Sequence, residues 1–132
     1  EPFQTSIARS IRTVPLTTEE EGIALAAGAW LGGQRSVLLM QSSGVGNTIN
    51  LLGLTKTLRF PFLTLITMRG EWGEFNPWQV PMGSATPAVL TAAGVHVRRA
   101  DTAENWSATT WGRPASFPRP SGWRRCSQAM ST

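Results

Sequence analysis

A chain of 132 residues that is 41% apolar has room for one domain around one core. Its single thiol, Cys126, excludes a disulfide framework and a cysteine metal knuckle and is compatible with a reducing cytoplasm; no run is apolar and long enough to cross a bilayer, and the start does not read as a signal peptide. The net charge of +4 invites a nucleic-acid reading, but six of the twelve basic residues fall between Arg98 and Arg125, in a stretch with few signs of folding, which argues against one.

In chain order, residues 1–10 carry no clear period. Ile11-Arg12-Thr13-Val14 alternates like a short strand that Pro15 ends. Thr17 or Thr18 is placed to cap a helix whose first turn holds Glu19, Glu20 and Glu21. From Gly22 to Leu31 the pattern is small and apolar almost all round, which predicts a helix covered on both sides and stopped by Gly32-Gly33. Val37 to Met40 reads as a buried strand. It runs into Gln41-Ser42-Ser43-Gly44-Val45-Gly46-Asn47, a small-residue loop, and then a helix predicted over 48–58. Loops of this kind lie at the carboxyl edge of open α/β sheets, where ligands bind, and glycines there let backbone N–H groups approach closely. Phe62 to Met68 predicts a second interior strand, followed by a long Gly/Pro/Trp loop over 69–83. Thr86-Pro87 predicts a helix start, with Pro87 at its first position and Gly94 after its end. Val95-His96-Val97 predicts one more small strand.

Strand and helix alternate, so the expected fold class is α/β, an open parallel sheet with helices on both faces. The pattern stops after Glu104, which divides the chain into an α/β domain over 1–104 and an irregular Arg/Trp/Pro-rich tail over 105–132. His96 is the only histidine and lies on another segment from Ser42 and Ser43, so no serine triad is argued.

Three segments in order carry a resemblance: Thr18-Glu19-Glu20-Glu21-Gly22-Ile23-Ala24-Leu25-Ala26-Ala27-Gly28-Ala29, then Leu39-Met40-Gln41-Ser42-Ser43-Gly44-Val45-Gly46-Asn47, then Met68-Arg69-Gly70-Glu71. Over roughly 12–101 the chain resembles the pyrimidine-binding domain of thiamine-diphosphate enzymes, in particular the sulfopyruvate and phosphonopyruvate decarboxylase group. The resemblance implies a flavodoxin-like domain, here truncated at both ends. The usual first strand and helix are abbreviated before Ile11, and the tail replaces the last helix and strand, as an altered reading frame near Glu104 would produce.

The resemblance also implies an alpha-type subunit of a 2-oxoacid decarboxylase. One carboxylate hydrogen-bonds a ring nitrogen of the cofactor's aminopyrimidine and drives it to its imino form. Three consecutive glutamates compete for that role, and the family's spacing of nine residues before Gly28 selects Glu19. Gln41, Ser42, Ser43, Gly44, Gly46 and Asn47 are then the cofactor-binding loop. Arg69 and Gln79 are the substrate-binding candidates, Arg69 either pairing with an anionic substrate tail or ion-paired to Glu71 or Glu74. The chain is expected to hold no metal itself. Magnesium and the diphosphate fall to a beta-type subunit in a cytoplasmic hetero-oligomer, with no membrane or nucleic-acid partner. Two other readings compete: a non-catalytic flavodoxin-like module binding phosphate or a nucleotide at 42–47, and an inactive truncated domain.

Overall fold

The structure, a computed structural model, describes residues 11–102. The chain divides into two compact units, Glu1–Val97 and Arg98–Thr132. The tail expected over 105–132 lies outside the described residues. Within the second unit, Arg99 Nε donates to Asp101 Oδ1 at 2.6 Å.

The first unit contains helix α1 (Glu19–Leu31), strand β1 (Leu38–Gln41), a 3-10 turn (Ser42–Gly44), helix α2 (Val45–Thr48), helix α3 (Gly53–Thr57), strand β2 (Thr64–Thr67), a second 3-10 turn (Pro77–Gln79) and helix α4 (Val80–Ala92). β1 and β2 form a parallel two-stranded sheet in the register Leu38↔Thr64 to Gln41↔Thr67. This is the α/β character expected of a flavodoxin-like fragment. Both expected strands are present, β1 shifted one residue on from 37–40 and β2 trimmed from 62–68 to four residues; neither is buried on both faces, since Leu39 is exposed and every residue of β2 is at least partly accessible.

Both long helices end alike. Gly33 has φ 78°, its N–H bonds Trp30 O, and the Gln34 N–H reaches Ala29 O. Gly94 has φ 84°, its N–H bonds Thr91 O, and the Val95 N–H reaches Leu90 O. These are Schellman closures, in which a glycine in the left-handed region lets the last carbonyls find donors. The second closure explains a correction. The strand expected over 95–97 is not formed, because the Val95 N–H is already used by the helix cap. The strand expected over 11–14 is not formed either; Ile11 and Val14 are exposed, and among the described residues no strand lies beside them to pair with.

Other boundaries moved for local reasons. α4 begins at Val80, so the loop expected over 69–83 is shorter and Pro87 is inside the helix; Pro81 is the proline of the first turn, where a missing N–H costs nothing. The helix expected over 48–58 is two short pieces, the first already begun at Val45, separated by turns at 49–52. α1 is not covered all round. Gly22, Ile23, Ala26 and Ala27 are buried, whereas Leu25 and Leu31 on the other side are 48% and 77% exposed.

The core gathers Ile23, Ala26 and Ala27 of α1, Leu38 of β1, Val45 of α2, Leu52, Phe60 and Leu90 of α4. Phe60 and Phe62 meet edge to face with ring centres 6.4 Å apart. Gly22 sits under the side chains of Leu38 and Leu16, which seats the start of α1 on β1. β1 alternates: Leu38 is buried, while Leu39 is 68% exposed on the opposite face. The core thus fixes one face of the sheet and brings the N-terminus of α1 beside the end of β1.

Candidate functional site

Parallel pairing brings the ends of β1 and β2 to the same edge. Gln41 stands opposite Thr67, so the segments that follow, 42–47 and 69–79, emerge together. Ser42 is fully buried, and its Oγ accepts the Arg69 main-chain N–H at 2.8 Å. That bond joins the two loops across 27 residues of sequence.

The first turn of α1 reaches the first loop. Asn47 Nδ2 donates to Glu19 Oε2 at 2.9 Å. A Cβ built on Gly44 would overlap the Glu19 carboxyl group, so only a glycine lets the carboxylate lie on this backbone. Among the described residues, Asn47 is the one hydrogen-bond partner of the Glu19 side chain. Glu19, Gly44 and Asn47 therefore form one cluster. Ser43, Gly46 and Asn47 are exposed, and Gly46 lies near the Met82 sulfur.

The other two glutamates are not simply solvated first-turn charges. Glu21 accepts the Thr17 N–H at 2.8 Å and caps the chain entering α1. Glu20 Oε2 is buried and without a hydrogen-bond partner. Thr18, in the N-cap position, has extended geometry but makes no side-chain cap bond.

The second loop is organised around Glu74. Arg69 Nε donates to Glu74 Oε2 at 2.8 Å, and Nη2 to Oε1 at 2.6 Å. The main-chain N–H groups of Gly70 and Asn76 donate to the same two oxygens, each at 2.8 Å. The Glu74 side chain is 7% exposed and that of Arg69 28%. These bonds favour the charged forms. The Arg69 guanidinium, then the two amides, hold the Glu74 carboxyl down to about 2, and Arg69 is raised above its ordinary value by Glu74. Of the two pairings the sequence allows for Arg69 within the chain, the one with Glu74 is present. Arg69 also reaches the first loop, with Nη1 donating to Gln41 Oε1 at 3.2 Å. Gln79 closes the loop: its carbonyl and Val80 lie against Gly70 (φ 79°), where a Cβ would strike them.

The sequence reading offered Glu74 as a partner of Arg69 but missed that it also gathers the main-chain N–H groups of Gly70 and Asn76. The available signal was an arginine at a strand end, followed five residues later by an acid inside a Gly/Pro-rich segment. A shallow apolar concavity lined by Ile49, Gly53, Val89, Ala92 and Ala93 shares no residue with the cluster. Among the described residues, no three of His, Cys, Asp and Glu converge as a metal site, and no helix is long and apolar enough to cross a membrane.

Fold and site together define an α/β fragment with a carboxylate laid on the loop at the carboxyl edge of a parallel sheet. In sequence the chain is similar to sulfopyruvate decarboxylase subunit alpha of Methanococcus maripaludis, 46% identical over 83 residues, 62% of this chain and 50% of that protein. It is 38% identical over 97 residues to the same subunit of Methanocaldococcus jannaschii, covering 73% of this chain and 57% of that one. To phosphonopyruvate decarboxylase of Streptomyces viridochromogenes it is 44% identical over 81 residues, 60% of this chain and 20% of that protein. The resemblance drawn from the three sequence segments is thus matched by curated relatives. The chain spans about half the length of the alpha subunits it matches. No family model matches it, and no solved structure matches it significantly.

Proposed function

We propose that this chain supplies the pyrimidine-side half of a thiamine-diphosphate-dependent 2-oxoacid decarboxylase, working with a second, beta-type subunit in the cytoplasm. The observation that carries the reading is the Glu19 carboxylate lying on Gly44 and bonded to Asn47. Sequence similarity to sulfopyruvate and phosphonopyruvate decarboxylases supports the reaction class.

The residues present fit the pyrimidine end of the cofactor. Gly44 leaves the room a carboxylate needs against the backbone, and Asn47 holds one of its oxygens. Glu19 Oε1 has no bond to another described residue and is the atom to take a ring N–H. Gln41, Ser42, Ser43, Gly46 and Asn47 line the same loop. Thiamine diphosphate, when bound, supplies the electron sink for loss of carbon dioxide. The task of this chain is to hold a proton between Glu19 and the pyrimidine ring, to orient the ring on the loop, and to meet the substrate's anionic tail with Arg69 and Gln79. Magnesium needs several hard oxygen ligands at one place and is assigned, with the diphosphate, to the partner chain.

The carboxylate also argues against the competing reading of 42–47 as a phosphate loop. A negative group already lies where a phosphate would have to approach, and α2 has too few turns to offset it with its dipole.

Calorimetric titration of the chain with thiamine diphosphate and magnesium, alone and with a beta-type partner, tests the proposal. Tight binding and release of carbon dioxide from 3-sulfopyruvate or 3-phosphonopyruvate are expected only with the partner. Tight, micromolar-range binding by the lone chain would overturn the division of the site and revive the phosphate loop.

A further inference from the structure

We propose that Glu74 is the positioning residue of the substrate side: it fixes Arg69 so that only part of the guanidinium is offered to an anionic group, and it ties the 69–79 loop to the loop that follows β1. The inference rests on the decarboxylase reading for the identity of the anion; the clasp itself rests on geometry alone.

Glu74 has two oxygens and four donors. Arg69 Nε and the Gly70 N–H share Oε2, while Arg69 Nη2 and the Asn76 N–H share Oε1. A carboxylate with four lone-pair positions is thereby filled, which explains how it can be 7% exposed and still charged. A side-on, two-point pair fixes both the position and the plane of a guanidinium. Arg69 has five N–H donors. Two go to Glu74 and one to Gln41 Oε1, so two remain among the described residues, one on Nη1 and one on Nη2.

The consequence is a receptor of restricted shape. An unpaired arginine would swing and bind anions from several directions. This one is held at a fixed place beside Gln41, and its own main-chain N–H is pinned on Ser42 Oγ at 2.8 Å. Its two remaining donors suit one carboxylate or two oxygens of a sulfonate or phosphonate. Because Glu74 is within this loop, positioning requires no contact between Glu74 and the substrate. Its removal should weaken recognition of the tail and leave the chemistry at Glu19 unchanged.

The test uses the whole 132-residue chain and two readouts. In the first, amide exchange at Gly70 and Asn76 is compared in the parent and in Glu74→Gln; both should exchange about tenfold faster or more in the variant, while core amides such as Leu90 are unchanged. In the second, the Arg69 Nε–H resonance is followed on adding 3-sulfopyruvate or pyruvate. A saturable shift with the sulfonate, weakened about tenfold in Glu74→Gln and not matched with pyruvate, supports the inference. Unchanged exchange in Glu74→Gln, or no saturable Arg69 shift in the parent, overturns it. If Glu74→Gln does not fold by circular dichroism, Glu74→Asp replaces it; the shorter acid keeps the charge but cannot span all four donors, and the same outcomes apply. In the reconstituted enzyme, Glu74→Gln should raise KM for the sulfonated acid with kcat nearly unchanged, and a fall in kcat alone would overturn the positioning role. A parent complex that binds 3-sulfopyruvate through Arg69 yet releases no carbon dioxide would refute the decarboxylase reading while leaving the clasp in place.

Discussion

Replacing Glu19 with Gln separates the role of this carboxylate from its place in the fold. Gln has the same length, and its carbonyl can still accept the Asn47 amide now held at 2.9 Å. The structural loss is therefore the difference between a charged and a neutral hydrogen bond at an accessible site, under about 1 kcal/mol. That corresponds to a fall in Tm of at most about 4–8 °C for a unit of this size. The chemical loss is of another order. A positioned acid or base contributes about 10²–10⁴-fold to rate, equivalent to roughly 3–5 kcal/mol of barrier, and an amide cannot exchange the proton. Reconstituted with its partner chain, magnesium and thiamine diphosphate, Glu19→Gln should assemble normally and release carbon dioxide from 3-sulfopyruvate about 10²–10⁴-fold more slowly. Activity within a few-fold of the parent would refute the assignment. So would full activity in Glu19→Gln combined with loss in Glu20→Gln, whose buried Oε2 makes it the sharpest control.

Gly44→Ala should reproduce much of that loss without touching a titratable group, because its Cβ would displace the Glu19 carboxyl group; activity is the readout, and parent-like turnover would show that the carboxylate need not lie there. Leu90→Ala, at a site 3% exposed, should lower stability by about 2–5 kcal/mol in urea unfolding with little change in slope. Lowering the pH should open the 69–79 loop. The Glu74 carboxyl is held at about 2 against an ordinary 4.5, so its stabilisation is complete above about 4.5 and is lost as the pH falls toward 2. Amide exchange at Gly70 and Asn76 should report that window in the parent, and Glu74→Gln should show no such transition.

How much of this was legible in the sequence depended on the range of the interactions. β1, β2 and both glycine-closed helix ends were readable because apolar runs and left-handed glycines are local signals. The start of α1 was readable too, at Thr18 and the three glutamates that follow it, but the starts of α2 and α4 were not. Pro87 carries the same start signal as Pro81, and tertiary contact decided between them: α4 packs against the end of β2, with Gly83 beneath the Arg69 carbonyl, where any Cβ would clash. The short edges over 11–14 and 95–97 had strand-like patterns but, among the described residues, no strand beside them, and pattern alone does not reveal which neighbours a segment will have. In the site, Glu19 was singled out by family spacing, and its nearness to Gly44 and Asn47 is a long-range fact that no local period encodes. The Glu74 clasp was half readable. An acid near Arg69 was visible in the loop, but its use of two backbone amides follows from a loop path the sequence does not print.

The bond between Ser42 and Arg69 decides whether the two loops act as one unit, and Ser42→Ala tests it. Parallel register brings both strand ends to one edge, but register alone leaves the loops free to move apart beyond Gln41 and Thr67. The Ser42 hydroxyl, fully buried, supplies the next point of attachment by accepting the Arg69 N–H at 2.8 Å. Alanine fills nearly the same space without leaving a large cavity, so the change removes an acceptor and strands a backbone donor. The expected cost is about 1–3 kcal/mol, the penalty for an unsatisfied buried donor, read from urea unfolding. Amide exchange should also accelerate at Arg69 and then at Gly70, while Leu38 and Leu65 in the sheet stay protected. If protection at Arg69 is unchanged and stability falls by the same amount, Ser42 is only a packing residue. The loops would then be joined through the side-chain contact of Arg69 with Gln41 alone, a longer bond at 3.2 Å and on the exposed rim, and less able to hold a substrate receptor at a fixed distance from Glu19.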